Sequence, residues 1–113
     1  MPPPERTPDD RYIVMVGKHG ARLWRAANPS IPEEERHALV QQLMTARRAV
    51  RDARGDAVAL GEARSRIDAA KRALGERGPV WWEDGTPDLN RKLIKNTGYW
   101  EWWVAKHQDH GRR

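Results

Sequence analysis

Two apolar repeats with the same spacing, separated by one short turn, constrain this chain more than any other feature of its sequence. Intervals of three and four residues alternate in both repeats, which are Leu39, Leu43, Ala46, Val50 and Ala53, and then Leu60, Ala63, Ile67, Ala70 and Leu74. This alternation places side chains on one face of an α-helix. Because the turn is short, the two faces must meet in an antiparallel pair. The sequence predicts a helical hairpin over residues 30–77, centred on Leu43, Val50, Leu60 and Ile67.

Residues with capping preferences mark the ends of these two helices. Ser30 and Glu33 have the spacing of a capping box, which predicts that the first helix begins there. Gly55 ends this helix, Asp56 is the expected N-cap of the second, and Gly75 is its expected C-terminal stop.

Before the helical hairpin, residues 11–27 have the pattern of a β-hairpin. The apolar, β-branched stretch 12–16 precedes a glycine-flanked turn at 17–20, and the stretch 21–25 alternates in character. Both faces of the first strand carry apolar side chains, so we expect both faces to be buried.

The segment after Pro79 is rich in tryptophan. Thr86 and Pro87 predict the start of a helix, and residues 99–104 predict a second, Trp-rich helix. The fold class is mainly α (α+β), with an N-terminal β-hairpin, an antiparallel helical hairpin and a C-terminal Trp-rich helix. We expect one small domain over residues 11–106, a disordered tail at 1–10 and a frayed tail at 107–113.

Composition and charge narrow the function classes. The 113 residues include no Cys, which excludes disulfides, thiolate nucleophiles, Cys-ligated zinc and iron–sulfur clusters. No apolar run approaches the roughly 20 residues that cross a bilayer, and residues 1–10 lack the apolar segment of a secretory signal. We therefore expect a cytoplasmic protein with no membrane partner. The net charge of +5 is spread evenly by sequence segment, so it permits an acidic partner without requiring one.

A stripe of arginines follows the first predicted helix. Arg47, Arg51 and Arg54, joined at the side by Arg48, are candidates for contact with the phosphates of a nucleic acid. The glutamates at 33–35 favour a solvated face instead, because acidic residues first and basic residues last suit the helix dipole. Any nucleic-acid binding by the protein is expected to be weak and to fall steeply with salt, because its basic residues are dispersed and mostly offset by nearby acidic residues.

The aromatic cluster between Tyr99 and Val104 is the most unusual segment. In a helix, Trp100, Trp103 and Val104 share one face and are predicted to be buried, whereas Tyr99 and Trp102 point elsewhere and one or the other is expected to stay accessible. Trp and Tyr dominate the hot spots of protein interfaces. One of Trp81 and Trp82 is expected in the core. The predicted partner-binding residues are Tyr99, Trp102, Trp82, Glu101 and Lys106. Two alternatives stay open, namely that every ring packs in the core and that exposed rings stack on nucleic-acid bases.

The sequence contains no pattern typical of catalysis or metal binding. His107 and His110 lie in a predicted tail and His19 in a predicted turn, whereas a metal needs several convergent ligands on a rigid frame. The acidic residues within 83–88 lie among Gly and Pro, which indicates turns and helix starts. We predict no catalytic residues, no metal site and no cofactor.

Four groups of short motifs extend over most of residues 11–103. They are Trp24-Arg25-Ala26 with Ile31-Pro32, Ala73-Leu74-Gly75-Glu76-Arg77-Gly78-Pro79 with Trp81-Trp82, Pro87-Asp88-Leu89-Asn90-Arg91, and Lys95-Asn96-Thr97. Together they resemble a family of short bacterial proteins of unknown function, some of which carry the label Tol biopolymer transporter. The family pattern has Pro at the position of Gly98 and fewer tryptophans at its end. The resemblance implies no catalytic or binding residues.

Two function hypotheses from different classes follow. The first is a non-enzymatic interaction or adaptor protein that presents a Trp-rich C-terminal surface to a protein partner or a second copy. The alternative is a nucleic-acid-binding accessory protein that uses the arginine stripe and exposed Trp rings. An enzyme with an unrecognised site ranks third. Rings and arginines on one face would favour nucleic acid, and an aromatic patch apart from the arginines would favour a protein.

Overall fold

The computed structural model describes residues 4–107. The elements in chain order are β1 (Glu5–Arg6), β2 (Tyr12–Gly17), β3 (Gly20–Arg25), α1 (Glu33–Asp52), α2 (Ala57–Leu74), a 3-10 turn (Ile94–Asn96) and α3 (Trp100–His107). The predicted α+β class, with a β-hairpin, a helical hairpin and a C-terminal helix, is confirmed. The contacts divide the chain into two compact units. Unit 1 contains residues 4–26 and 85–107, and unit 2 contains Ala27–Asp84.

Unit 2 is the antiparallel pair of α1 and α2. Its buried side chains on the two helices all belong to the predicted repeats, and they are Leu43, Ala46, Ala53, Ala63, Ala70 and Leu74. Val50, Leu60 and Ile67 are only half-buried. The apolar cluster of Leu43, Ala70 and Leu74 lies away from the turn. Alanines line the seam near the turn, where they provide little volume to bury the larger side chains beside them.

The ends of the helices confirm two predicted caps and correct a third. Asp56 accepts a hydrogen bond from the Ala59 amide at 3.0 Å, and Gly75 closes α2 with a φ of 89°. The predicted capping box does not form, because α1 begins at Glu33 after Pro32 with no side-chain cap. The physical reason is Ile31, since a residue that precedes proline is disfavoured in the helical conformation that the box requires.

The sheet of unit 1 has one buried face. The strands are antiparallel in the order β1-β2-β3, and the side chains of Tyr12, Val14 and Leu23 are buried on one side. On the other side, Met15 and Trp24 are 49% and 42% exposed. The prediction that both faces are buried is therefore wrong. Tyr99 and His107, at the two ends of the α3 segment, contact side chains on the Tyr12 face.

The predicted tail at 1–10 contains ordered structure. Glu5 and Arg6 pair with β2, and Thr7 is 2% exposed. The Thr7 hydroxyl donates to Asp9 Oδ1 at 2.7 Å and accepts from the Tyr12 amide at 3.1 Å. A strand of two residues has no periodicity to detect in the sequence. Residues 1–3 and 108–113 lie outside the described residues, so the tail predictions stay untested there.

The predicted helix at Thr86 is also absent. Residues 88–93 instead follow β3, where the Arg91 amide donates to the Leu23 carbonyl at 2.6 Å and the Asn90 side chain accepts from the Arg25 amide at 2.8 Å. A strand edge carries unpaired backbone groups that need partners. Satisfying these groups outweighs the local helix signal of Thr86 and Pro87.

Candidate binding surfaces

Tyr99 is a structural residue of unit 1. Its hydroxyl donates to Asp9 Oδ2 at 2.6 Å, and its ring meets the edge of the Tyr12 ring at a centroid distance of 5.7 Å. Burial, followed by the hydrogen bond to Asp9, raises the pKa of Tyr99. Burial also raises the pKa of Asp9, but hydrogen bonds from Tyr99, Thr7 and the Arg11 amide outweigh it and hold that pKa below its usual value. Tyr99 therefore anchors α3 through its hydroxyl, and its side chain is half-buried.

The far end of α3 is anchored in the same way. His107 Nε2 lies 3.2 Å from Glu5 Oε2, and the His107 ring lies 4.0 Å from the Trp103 ring between centroids. Since Tyr99, Trp103 and His107 are spaced by four residues, they define the helix face that is turned toward the N-terminal segment. His107 is thus the last residue of α3 and not part of a frayed tail.

This orientation exposes two side chains of α3 that are predicted to be buried. Trp100 and Val104 are 43% and 39% exposed, although both are predicted to be buried. Trp102 and Trp103 are half-buried, and the Lys106 ammonium lies 5.8 Å from the centre of the Trp102 ring. The reason is chemical: the polar atoms of Tyr99 and His107 find partners in the N-terminal segment, and this fixes the rotation of the helix. Of the predicted partner-binding residues on α3, Glu101 and Lys106 are exposed.

A groove lies beside the exposed ring of Trp100. Its volume of about 230 Å³ lies below the range of about 300–1,000 Å³ that is typical of ligand pockets, so it fits one large side chain rather than a whole ligand. The residues that line it are His19, Gly20, Ala21, Leu93, Ile94, Lys95, Trp100 and Trp103. Aromatic walls and a rim with Lys95 and His19 suit an apolar side chain with a nearby acidic group.

Trp82 does not belong to this surface. It lies in unit 2, is 8% exposed, and meets the edge of the Trp81 ring at 5.1 Å between centroids. Trp81 in turn packs close to Gly75, where an added Cβ would lie 3.0 Å from the indole Cδ1. The expectation that one of this pair is core is confirmed. A buried Trp82 offers no exposed ring to a partner.

The arginine stripe is exposed and belongs to a unit without net charge. Arg47, Arg48, Arg51 and Arg54 are all exposed. Arg48 donates to the Thr45 hydroxyl at 3.1 Å, and Arg51 lies 3.9 Å from the Asp52 carboxylate. Unit 2 contains ten Lys and Arg against ten Asp and Glu, a net charge of zero. The stripe has acidic neighbours on α1, and that helix has no Trp, Tyr or Phe on which a base could stack.

The net positive charge lies in unit 1. Its described residues include nine Lys and Arg against five Asp and Glu, a net charge of +4. The charge looks evenly distributed when residues are counted along the sequence, because unit 1 is assembled from two segments that are distant in sequence.

The open face of the unit 1 sheet, defined here as Arg6, Ile13, Met15, Arg22 and Trp24, is the second exposed surface. Strand register places Arg6 beside Ile13, Ile13 beside Trp24, and Met15 beside Arg22. The Arg91 guanidinium lies 6.0 Å from the centre of the Trp24 ring. This surface is not apparent from the sequence, because apolar side chains on both sides of the hairpin predict two buried faces.

Nothing in residues 4–107 groups three or more His, Asp or Glu side chains as a metal would require. Within the same residues, no helix has both the length and the apolar character to cross a bilayer. His19 is exposed in the β2–β3 turn, and His110 lies outside the described residues.

Comparison of the chain with protein-family models, with curated proteins and with solved structures finds no match. The resemblance to short bacterial proteins therefore stays a prediction.

Proposed function

We propose that this protein is a non-enzymatic interaction protein that binds a protein partner, or a second copy of itself, through the exposed side of α3 and the groove beside it. The observation that carries the proposal is Trp100, whose ring is 43% exposed at the edge of a groove with Lys95 and His19 on its rim. Exposed tryptophans beside such pockets are the residues that dominate protein interfaces. Val104, one helical turn further along, extends the apolar surface.

Two features of the site support a protein partner over nucleic acid. The exposed side chains of Trp100 and Val104 lie in unit 1, whereas the arginines of the stripe lie in unit 2. The groove is also small, and its walls are mostly apolar side chains that suit one anchoring side chain.

The test compares Trp100→Ala with Trp24→Ala. The two rings have nearly equal exposure, 43% and 42%, and both lie in unit 1, so the second variant is a matched control for loss of an exposed indole. Sedimentation of the full chain measures self-association, and affinity capture with mass spectrometry identifies a partner protein. We expect Trp100→Ala to abolish the association and Trp24→Ala to leave it unchanged. Equal effects of both variants, or none from Trp100→Ala, would contradict the proposal.

A further inference from the structure

We propose that the open face of the unit 1 sheet binds single-stranded nucleic acid, with the Trp24 ring stacking on a base and the surrounding arginines contacting phosphates. This site is separate from the α3 groove, and the inference does not depend on the proposed protein partner.

The geometry of the face suits such a strand. Arg6, Ile13 and Trp24 form a row across the three strands, which spans about 10 Å because neighbouring strands lie roughly 4.8 Å apart. Met15 and Arg22 form the next row. Arg6 on β1 therefore provides a cation in the same row as Trp24 on β3. The Trp24 ring is accessible enough to stack on a base.

The charge of the face selects an anionic ligand. Its five residues include two arginines and no acidic side chain, and Arg91 adds a third cation over Trp24. The described part of unit 1 carries a net charge of +4, whereas unit 2 carries none. A ligand that combines anionic groups with flat rings matches both the arginines and the indole.

The backbone at Arg91 adds a second observation. Its φ is 75°, in the left-handed region, which is unfavourable for a residue that has a Cβ. In this conformation the chain holds the Arg91 guanidinium against the ring of Trp24. Arginine planes stack on bases as aromatic rings do, so the pair offers two stacking partners at one place.

A single strand fits this face better than a duplex. Stacking on a side chain requires a base that is not already stacked inside a helix. Duplex DNA offers only its phosphates to this flat surface, and a few arginines neutralise too few of them for strong binding.

The experiment measures fluorescence anisotropy of a fluorescein-labelled oligothymidylate of about 20 nucleotides with the full chain at low salt. We expect Trp24→Ala to weaken binding by about five- to 150-fold, the range for loss of one stacked base, and Trp24→Phe to retain most of the affinity. With three phosphates contacted, the slope of log affinity against log salt should be about −2.

A second variant separates binding from folding. Arg91→Gly removes a cation and relieves the left-handed backbone, so the melting temperature should stay the same or rise while affinity falls. Trp100→Ala and Arg47→Ala are controls that should bind like the unmodified protein.

Three results would overturn the inference. One is equal binding by the unmodified protein and Trp24→Ala. Another is loss of binding in Arg47→Ala, which would assign the contact to the arginine stripe. The third is equally tight binding of polyglutamate with the same dependence on Trp24, which would identify the ligand as an acidic polypeptide.

Discussion

Each of the two units of this protein is stabilised internally by a different kind of contact. In unit 2, helices close in sequence pack through a narrow seam of alanines and leucines. In unit 1, side chains from opposite ends of the chain are joined by polar contacts, such as Tyr99 to Asp9 and His107 to Glu5. The polar contacts fix which face of α3 turns inward, and they leave aromatic rings on the outside. The unit with the weaker sequence pattern is thus the one that carries both candidate binding surfaces.

The largest effect should come from the seam of unit 2. Leu43 is 6% exposed in the apolar cluster, so Leu43→Ala should lower the free energy of unfolding by about 2–5 kcal/mol. Thermal and urea unfolding followed by circular dichroism measure this change. Val58→Ala, at a site that is 74% exposed, is the control and should change stability by less than about 0.5 kcal/mol. An unchanged midpoint for Leu43→Ala would show that the seam does not stabilise the unit.

The next effect tests the polar contacts of unit 1. Tyr99→Phe removes the hydroxyl that donates to Asp9 and should cost about 1 kcal/mol, since the carboxylate is partly solvated.

The lowered pKa of Asp9 in the folded state determines how the free energy of unfolding depends on pH. The stabilisation is present above the unfolded pKa of about 4 and is lost as the pH falls through the lower, folded value. Unfolding measured from pH 7 to pH 2 should show a weaker acid destabilisation in Asp9→Asn, and an identical profile would refute the assignment.

A smaller gain is expected from the interior of α2. Gly61 is helical, and a Cβ added there meets no atom within 4 Å. Gly61→Ala should therefore raise stability by about 0.5–1 kcal/mol. Gly75→Ala is the contrasting variant, because its φ is 89° and its added Cβ would meet Trp81 and Asn28 at 3.0–3.2 Å. Thermal melts should move in opposite directions for the two substitutions.

The smallest effect concerns Glu76 in unit 2. Burial raises its pKa, although Lys71, Arg47 and Arg77 oppose the shift. Ionisation of Glu76 therefore destabilises the folded state, the opposite sign from Asp9 in unit 1. Glu76→Gln should raise the melting temperature slightly at pH 7, and the gain should disappear as the pH falls below the unfolded pKa of about 4.3. A gain that is independent of pH would point to a different cause.

Local patterns in the sequence predict unit 2 well. The repeats identify the buried face, and Asp56 and Gly75 mark the ends of α2, because helix caps and periodicity depend on residues a few positions apart. The capping box at Ser30 fails for an equally local reason, the proline at position 32.

Unit 1 is harder to predict because its partners are distant in sequence. The Leu89 amide donates to the Tyr12 hydroxyl across 77 positions, and Tyr99 reaches Asp9 across 90. Apolar periodicity alone places Trp100 in the core, since it assigns no weight to the polar atoms of Tyr99 and His107. The candidate surfaces follow from these contacts, so the sequence could indicate surplus aromatic rings but not which rings are exposed.

The discontinuous course of unit 1 also dictates an order of events during synthesis. The chain leaves the ribosome from its N-terminus, and α1 and α2 can pair once residue 74 has emerged. The strands β1 to β3 emerge first but must wait for residues 88–107 to cover the edge of β3 and the Tyr12 face. Long-range closure of this kind is slow compared with pairing of neighbouring helices. The nascent protein therefore has, for a time, a folded helical hairpin and an uncovered sheet. A chain truncated well before residue 107 would keep its sheet uncovered.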